Sequence, residues 1–238
     1  MCGRYVEPDA ADLERFWLID RRNSVPFGPT RYNVAPTMQV PIVVRHGSGT
    51  VELRGARWGL IPRWWQKSTL PTLTFNARSE EAAGKPMWSE SLQHFRCLLP
   101  ARGWYEWNEH EQTRTDSGKR SFQPYFLFCP GEPVVAFAGL WSVWQRADAE
   151  PVVSCALLTR DAAPAIAAIH HRMPVVLHPD LFEDWLAPGQ GTEQALALIR
   201  QARQDLRGHP VSTRVNSVRN EGPELINALL QPQQPALF

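Results

Sequence analysis

The chain has 238 residues, 43% of them apolar, enough for one substantial core, and at roughly 150 residues per domain a single domain is the starting expectation. Lys and Arg total 25 against 24 acidic residues, so the net charge of +1 neither demands a nucleic-acid partner nor forbids one. No apolar run approaches the roughly 18 residues of a membrane span, and the opening MCGRY lacks the apolar core of a secretory signal, so a reducing cytoplasm is expected.

In chain order, Pro8 to Leu18 reads as a capped amphipathic helix with Leu13, Phe16 and Trp17 on one face. Residues 21 to 39 are rich in Pro and Asn and read as irregular chain. Val40 to Arg45 and Thr50 to Trp58 are strand candidates joined by a turn at His46 to Gly49. The stretch from Trp58 to Glu80 is a long loop with a short ordered run near its end, a length uncommon in a compact domain unless it has a function. Met87 to His94 suits a short helix; Phe95 to Pro100 and Trp104 to Asn108 suit strands. Glu109 to Phe122 is polar and reads as a surface hairpin. Strands follow at Pro124 to Phe128, Val134 to Trp144 and Val152 to Thr159, then a helix at Ala162 to Ile169, a strand at Met173 to Leu177, and helices at Pro179 to Leu186 and Thr192 to Arg203. A Gln/Pro tail from Gln231 is expected to fray. Many strands with turn-sized separations and a few helices predict a single α+β domain, with a largely antiparallel, barrel-like β core and peripheral helices.

Charge is unevenly spread. Residues 1 to 105 hold 14 basic and 9 acidic residues, a net of +5, whereas residues 106 to 238 hold 11 and 15, a net of −4. The four cysteines form no CxxC pair and no Cys/His cluster, so no zinc or iron–sulfur site is suggested, and no metal or organic cofactor is expected. Cys97, Cys129 and Cys155 sit in apolar strand-like runs and read as small buried hydrophobes. Cys2 does not fit that description.

Removal of Met1 would place an α-amine and a thiol on the Cys2 skeleton, with reference pKa values of about 7.7–8.0 and about 8.5. Such an aminothiol condenses with an aldehyde, first as an imine and then, by intramolecular attack of sulfur, as a five-membered thiazolidine. Two other readings stand beside it: a cysteine without a role, and an N-terminal nucleophile whose amine activates the thiol for amide hydrolysis.

Several separated stretches occur in order: MCGRY at 1–5, YNVAPT at 32–37, WGLIPRWW at 58–65, FNARSE at 75–80, LLPARGWYEW at 98–107 and IHHRMPVVL at 169–177. Together they resemble the SOS response-associated peptidase (SRAP) family, whose members recognise abasic sites in single-stranded DNA. The resemblance spans roughly residues 2 to 225 and implies a domain over 1–225 with a tail over 226–238. It implies that Cys2 forms a DNA–protein crosslink with the ring-opened sugar aldehyde, that Asn76, Glu106 and His170, rather than His171, complete the active site, and that Arg4 and Arg78 contact the DNA backbone.

Each residue type suits its implied role. Asn76 offers a donor and an acceptor without charge, Glu106 can carry the protons of carbinolamine formation and dehydration, and His170 can donate or relay near neutral pH. Trp64 or Trp65 can stack on a base, with Arg63 and Lys67 as nearby phosphate contacts. The expected partner is single-stranded DNA containing abasic sites, with no membrane association and the chain acting as a monomer, nucleoid-associated when on DNA. The alternatives are an N-terminal cysteine peptidase, in keeping with the family's name, and a noncovalent single-strand binding module.

Overall fold

A computed structural model describes residues 2–17, 28–45, 49–145 and 150–229. In chain order the elements are β1 (Tyr5–Glu7), α1 (Ala10–Trp17), β2 (Arg31–Val34), β3 (Gln39–Arg45), β4 (Val51–Trp58), β5 (Asn76–Arg78), α2 (Ser79–Ala82), α3 (Ser89–His94), β6 (Arg96–Ala101), β7 (Gly103–Arg114), β8 (Arg120–Phe128), β9 (Val135–Trp144), β10 (Val152–Asp161), β11 (Arg172–Pro174), β12 (Val176–Leu177), α4 (Phe182–Leu186), α5 (Thr192–Arg200) and β13 (Arg207–Pro210). Single 3-10 turns stand at Pro179–Leu181, Thr213–Asn216 and Pro223–Ile226.

The period-two pattern of β9 divides the core. Val135 and Phe137 enter one apolar cluster, while Ala136, Ala138 and Leu140 enter another, so the strand is buried on both faces. Pairing explains why. The strand order β10-β4-β3-β6-β9 closes on itself through β9–β10 pairing, giving a five-stranded barrel. Its interior is filled by Val40, Ile42, Trp58, Leu99, Phe137 and Leu157, as expected of a small barrel packed with side chains. Outside, Leu98, Ala138 and Leu140 meet Leu92, Trp185 and Leu198 from the helices. The buried Arg96 guanidinium donates to the carbonyls of Leu92, Trp185, Ala187 and Gln190, tying α3 to the α4–α5 connection.

A second sheet, ordered β13-β8-β7-β1-β2, packs on the barrel through edge-to-face rings: Tyr5 on Trp58 at 5.3 Å and Trp104 on Phe137 at 5.8 Å. The α+β, barrel-like expectation is therefore met, with β4 and β5 running parallel to β10 and the other pairs antiparallel.

Several local expectations need correction. Residues 162–169 form successive turns, with Ile166 N–H bonded to Ala163 O and Ile169 N–H to Ile166 O, rather than a helix; Pro164 and the short apolar spacing suit both. Arg31–Val34 is a strand within the stretch read as irregular, because β1 offers it a partner edge. The polar segment 109–122 does form the surface hairpin expected of it: β7 and β8 continue past the core as exposed strands closed at Thr115 to Lys119. Arg207–Pro210 pairs with β8, a strand without a β-rich composition. The turn at His46 to Ser48 and the tail from Gln231 lie outside the described residues. Ile226 to Leu229 lie against β13: His209 Nε2 meets Ile226 O at 2.8 Å and Leu229 N–H donates to Pro210 O.

Gly103 stands where β1, β7 and β8 crowd together, and a Cβ there would run into the Leu127 carbonyl and the Phe126 ring. A main-chain carbonyl cannot swing aside as a side chain does. Gly103→Ala is expected to lower unfolding free energy by roughly 1–3 kcal/mol in urea titration; an unchanged midpoint rejects this account of the three-strand junction.

Candidate functional site

The second sheet brings the chain's N-terminal segment to Glu106. Tyr5 lies opposite Trp104 and Val6 opposite Gly103, and Tyr105 N–H donates to Arg4 O at 3.0 Å. Extending this register puts Gly3 opposite Glu106, with Cys2 one residue further. From the barrel side, β5 pairs with β10, Asn76 opposite Leu157, and Asn76 Nδ2 donates to the Cys2 carbonyl at 2.9 Å. The third approach is the turn-rich segment before β11, which ends at His170, whose Nε2 stands 3.7 Å from Glu106 Oε2. Four segments far apart in sequence thus meet at Cys2, Asn76, Glu106 and His170.

The site is largely withdrawn from solvent. Cys2 and Glu106 are each 1% exposed and His170 is 8% exposed. Burial raises the Cys2 thiol well above its ordinary pKa, and the neighbouring Glu106 carboxyl adds to this by charge and hydrogen bonding. Burial likewise raises Glu106 to about 7, opposed by its hydrogen bond with Cys2. Burial lowers His170, with the main chain of Arg172 pulling the other way. A carboxyl balanced near neutrality beside a protonated thiol and a neutral imidazole is a set suited to passing single protons. Asn76 Oδ1 is buried and has no hydrogen-bond partner among the described residues.

Cys2 had no place in the apolar core on composition alone; the structure puts it in the cluster with Tyr5, Trp104 and Cys155, because strand pairing carries the chain terminus inward. Cys97, Cys129 and Cys155 are buried as expected.

The residues expected to meet DNA divide. The Arg4 guanidinium is half-buried and donates to Asn33 Oδ1 at 2.8 Å and to the carbonyls of Val215 and Asn216 at 2.7 and 3.3 Å, bracing β1 against the 3-10 turn at 213–216. Arg78 is exposed, with Nη1 3.7 Å from Glu81 Oε1. Arg63, Trp64, Trp65 and Lys67 gather on the loop between β4 and β5. Trp64 is 49% exposed and tilted against Trp65 at 5.9 Å, Lys67 Nζ lies over the Trp65 ring at 5.4 Å, and Arg63 lies over Phe95. The loop is tethered by Trp144 Nε1, which donates to Trp65 O at 2.7 Å. Trp58 is fully buried, its indole N–H on Phe75 O. Arg172 and Glu80 carry no assigned role on sequence grounds, although both fall within the named motifs; their contact across 92 positions becomes visible only in the fold.

A sequence profile for the SOS response associated peptidase (SRAP) family matches residues 1–218. The chain belongs to the SRAP family. It is 32% identical to abasic site processing protein YoaM of Bacillus subtilis, over 96% of this chain and 98% of that protein. It is 30% identical to YedK of Escherichia coli over 95% and 99%, and 32% identical to chicken HMCES over 94% and 70%; both carry the same description, abasic site processing protein. A crystal structure from Bordetella bronchiseptica superposes with a TM-score of 0.71 at 24% identity, covering 89% of this chain and all of that one, which shows the shared fold. A phage-related protein of the same organism gives 0.65 at 28% identity over 88% and 94%. Among the described residues, no helix of this SRAP protein is long and apolar enough to cross a membrane.

The raised Glu106 pKa has a consequence for stability. The folded protein holds this proton up to about pH 7, whereas the unfolded chain releases it near 4.3. The group's contribution is therefore full below the unfolded value and is lost as pH rises through the folded one, on the order of 3 kcal/mol. Glu106→Gln removes the titration. In urea unfolding at about pH 5 and about pH 8, the variant is expected to gain on wild type by that order as pH rises. A difference independent of pH would contradict a buried carboxyl titrating near 7.

Proposed function

We propose that this SRAP protein captures ring-opened abasic sites in single-stranded DNA as a covalent adduct on Cys2, once Met1 has been removed, and so shields the lesion. The observation that carries this reading is the convergence of Asn76, Glu106 and His170 on the terminal cysteine. The relatives described as abasic site processing proteins match nearly the whole chain.

In the proposed sequence the freed α-amine adds to the sugar aldehyde, giving a carbinolamine. Glu106, its carboxyl pKa raised by burial, delivers a proton to the departing hydroxyl, and water leaves to form the imine. Sulfur then attacks the imine carbon as the carboxylate takes the thiol proton, and nitrogen is reprotonated. The product is a thiazolidine, with one water released overall. The high thiol pKa keeps sulfur protonated until this step, so the amine reacts first. Asn76 Oδ1 accepts from the amine or from a sugar hydroxyl, and His170 donates to the opened sugar's oxygens. The same proton transfers run backwards give a route for release.

Arg78, Arg63 and Lys67 supply phosphate contacts without reading sequence, Trp64 and Trp65 supply stacking surface, and Arg4, its guanidinium held by Asn33, Val215 and Asn216, sets the terminal segment. The SRAP domain is taken to span 1–225 with a tail over 226–238, and the protein to work as a cytoplasmic monomer, associated with the nucleoid when bound to DNA. A second reading, amide hydrolysis by the same thiol, follows the family's name and would consume an amide without a stoichiometric DNA adduct.

Intact-mass analysis before and after incubation with single-stranded DNA bearing one abasic site tests the reading. Loss of Met1 and gain of one oligonucleotide mass are expected. Cys2→Ala is expected to bind the strand without the mass gain, and equal adduct yield from that variant would defeat the Cys2 assignment. Trp64→Ala is expected to weaken strand binding by roughly 1–3 kcal/mol in anisotropy titration while the adduct still forms at saturating strand; unaltered affinity removes Trp64 from the interface.

A further inference from the structure

Arg172 is 6% exposed, yet its guanidinium is almost fully engaged. Nη1 donates to Glu80 Oε1 at 2.9 Å and to Asp161 Oδ1 at 2.6 Å, while Nη2 donates to Glu80 Oε2 at 2.9 Å and to Thr159 O at 2.8 Å. The two parallel bonds to Glu80 are the bidentate geometry that fixes an arginine in plane. Glu80 belongs to α2, which follows directly on β5 and so on Asn76. Arg172 opens β11, and its own main chain brackets the His170 ring: its N–H and its carbonyl oxygen each lie 3.0 Å from His170 Nδ1. One ion pair therefore ties the segment carrying Asn76 to the segment carrying His170.

We propose that Glu80 is a positioning residue which, through Arg172, fixes the ring plane and the protonated nitrogen of His170 relative to Asn76 and Glu106. Nδ1 has one role at a time. When it donates to the Arg172 carbonyl, the neutral ring keeps a lone pair on Nε2, facing Glu106, and can take a proton. When it accepts from the Arg172 N–H, Nε2 carries the proton instead and donates. With both main-chain groups equidistant, a small movement of the Arg172 peptide selects between these states, and the Glu80 clamp restricts that movement. Asp161 makes a single bond to Nη1 from a side chain 87% exposed, whereas Glu80 makes two. Burial pushes the Glu80 carboxyl up, but the Arg172 bonds outweigh it and hold the group below its ordinary value, so it stays charged through the working range.

This inference rests on the Cys2 chemistry proposed above, and its test separates the two. Full-length wild type, Glu80→Gln and Glu80→Asp, each confirmed free of Met1 by mass, are compared by ring-nitrogen NMR of His170. Single-turnover adduct formation at saturating abasic strand is followed from about pH 5 to about pH 9. Glu80→Gln is expected to shift the His170 ring nitrogens toward a mixture of tautomers. It is also expected to slow adduct formation roughly 10- to 100-fold with a displaced pH profile, while affinity for an intact strand stays within about twofold. Glu80→Asp, which keeps the charge, is expected to recover part of both. Should Glu80→Gln fail to fold, Glu80→Asp carries the same readouts against wild type. Unchanged ring nitrogens and an unchanged pH profile would overturn the proposal even if the melting temperature fell, since the pair would then be structural only. Tighter binding of intact strand with unmoved ring nitrogens would also overturn it, assigning Glu80 to screening Arg172 from phosphate. If wild type forms no adduct, the Cys2 reading fails, and the ring-nitrogen comparison still decides whether Glu80 positions His170.

Discussion

The short antiparallel pairing in which Tyr5 and Val6 meet Trp104 and Gly103 holds the chain terminus inside the protein, and the site is built on it. Terminal segments are ordinarily loose because few contacts repay the entropy of ordering them. Here Tyr5 is sealed against Trp58 and Phe137, so the segment is anchored by aromatic burial three residues from Cys2. The same pairing draws Glu106 under cover. A carboxyl in that setting is held neutral to about pH 7, which an exposed strand carboxylate would not be. The raised pKa of Glu106 is thus a by-product of strand register.

Arginines make several of the bonds that join separate segments of the fold. Arg4 joins β1 to the 213–216 turn, Arg96 joins two helical connections, and Arg172 joins the neighbourhoods of Asn76 and His170. A guanidinium with several donors in a fixed plane can satisfy stray carbonyls from different segments at once. That property suits a candidate site whose four residues arrive from four places.

Much of the barrel was legible in the sequence, because its strands bury β-rich runs of the usual length: residues 39–45, 51–58, 96–101, 135–144 and 152–161 lie close to where composition and period place them. What escaped was local structure whose cause is distant. Arg31–Val34 and Arg207–Pro210 pair with edges of the second sheet; RGHP has no strand-favouring residue, and Tyr32 and Val34 are too few in a Pro- and Asn-rich stretch to single out RYNV. The stretch 162–169 satisfies a helical pattern yet turns repeatedly, and ends with His170 3.7 Å from Glu106.

The chain alone determined the family and the residue types on which the proposed chemistry rests. A cysteine after Met1 and ordered motifs around Asn76, Glu106 and His170 are facts of residue type and order, which no folding step alters. Tertiary structure decided everything that depends on neighbours. Cys2, which composition could not place in a core, is buried there; the pKa of Glu106 follows from desolvation; and Glu80 meets Arg172 across 92 positions. Burial and charge pairing act through space with steep dependence on distance, and only the fold says which residues come within reach.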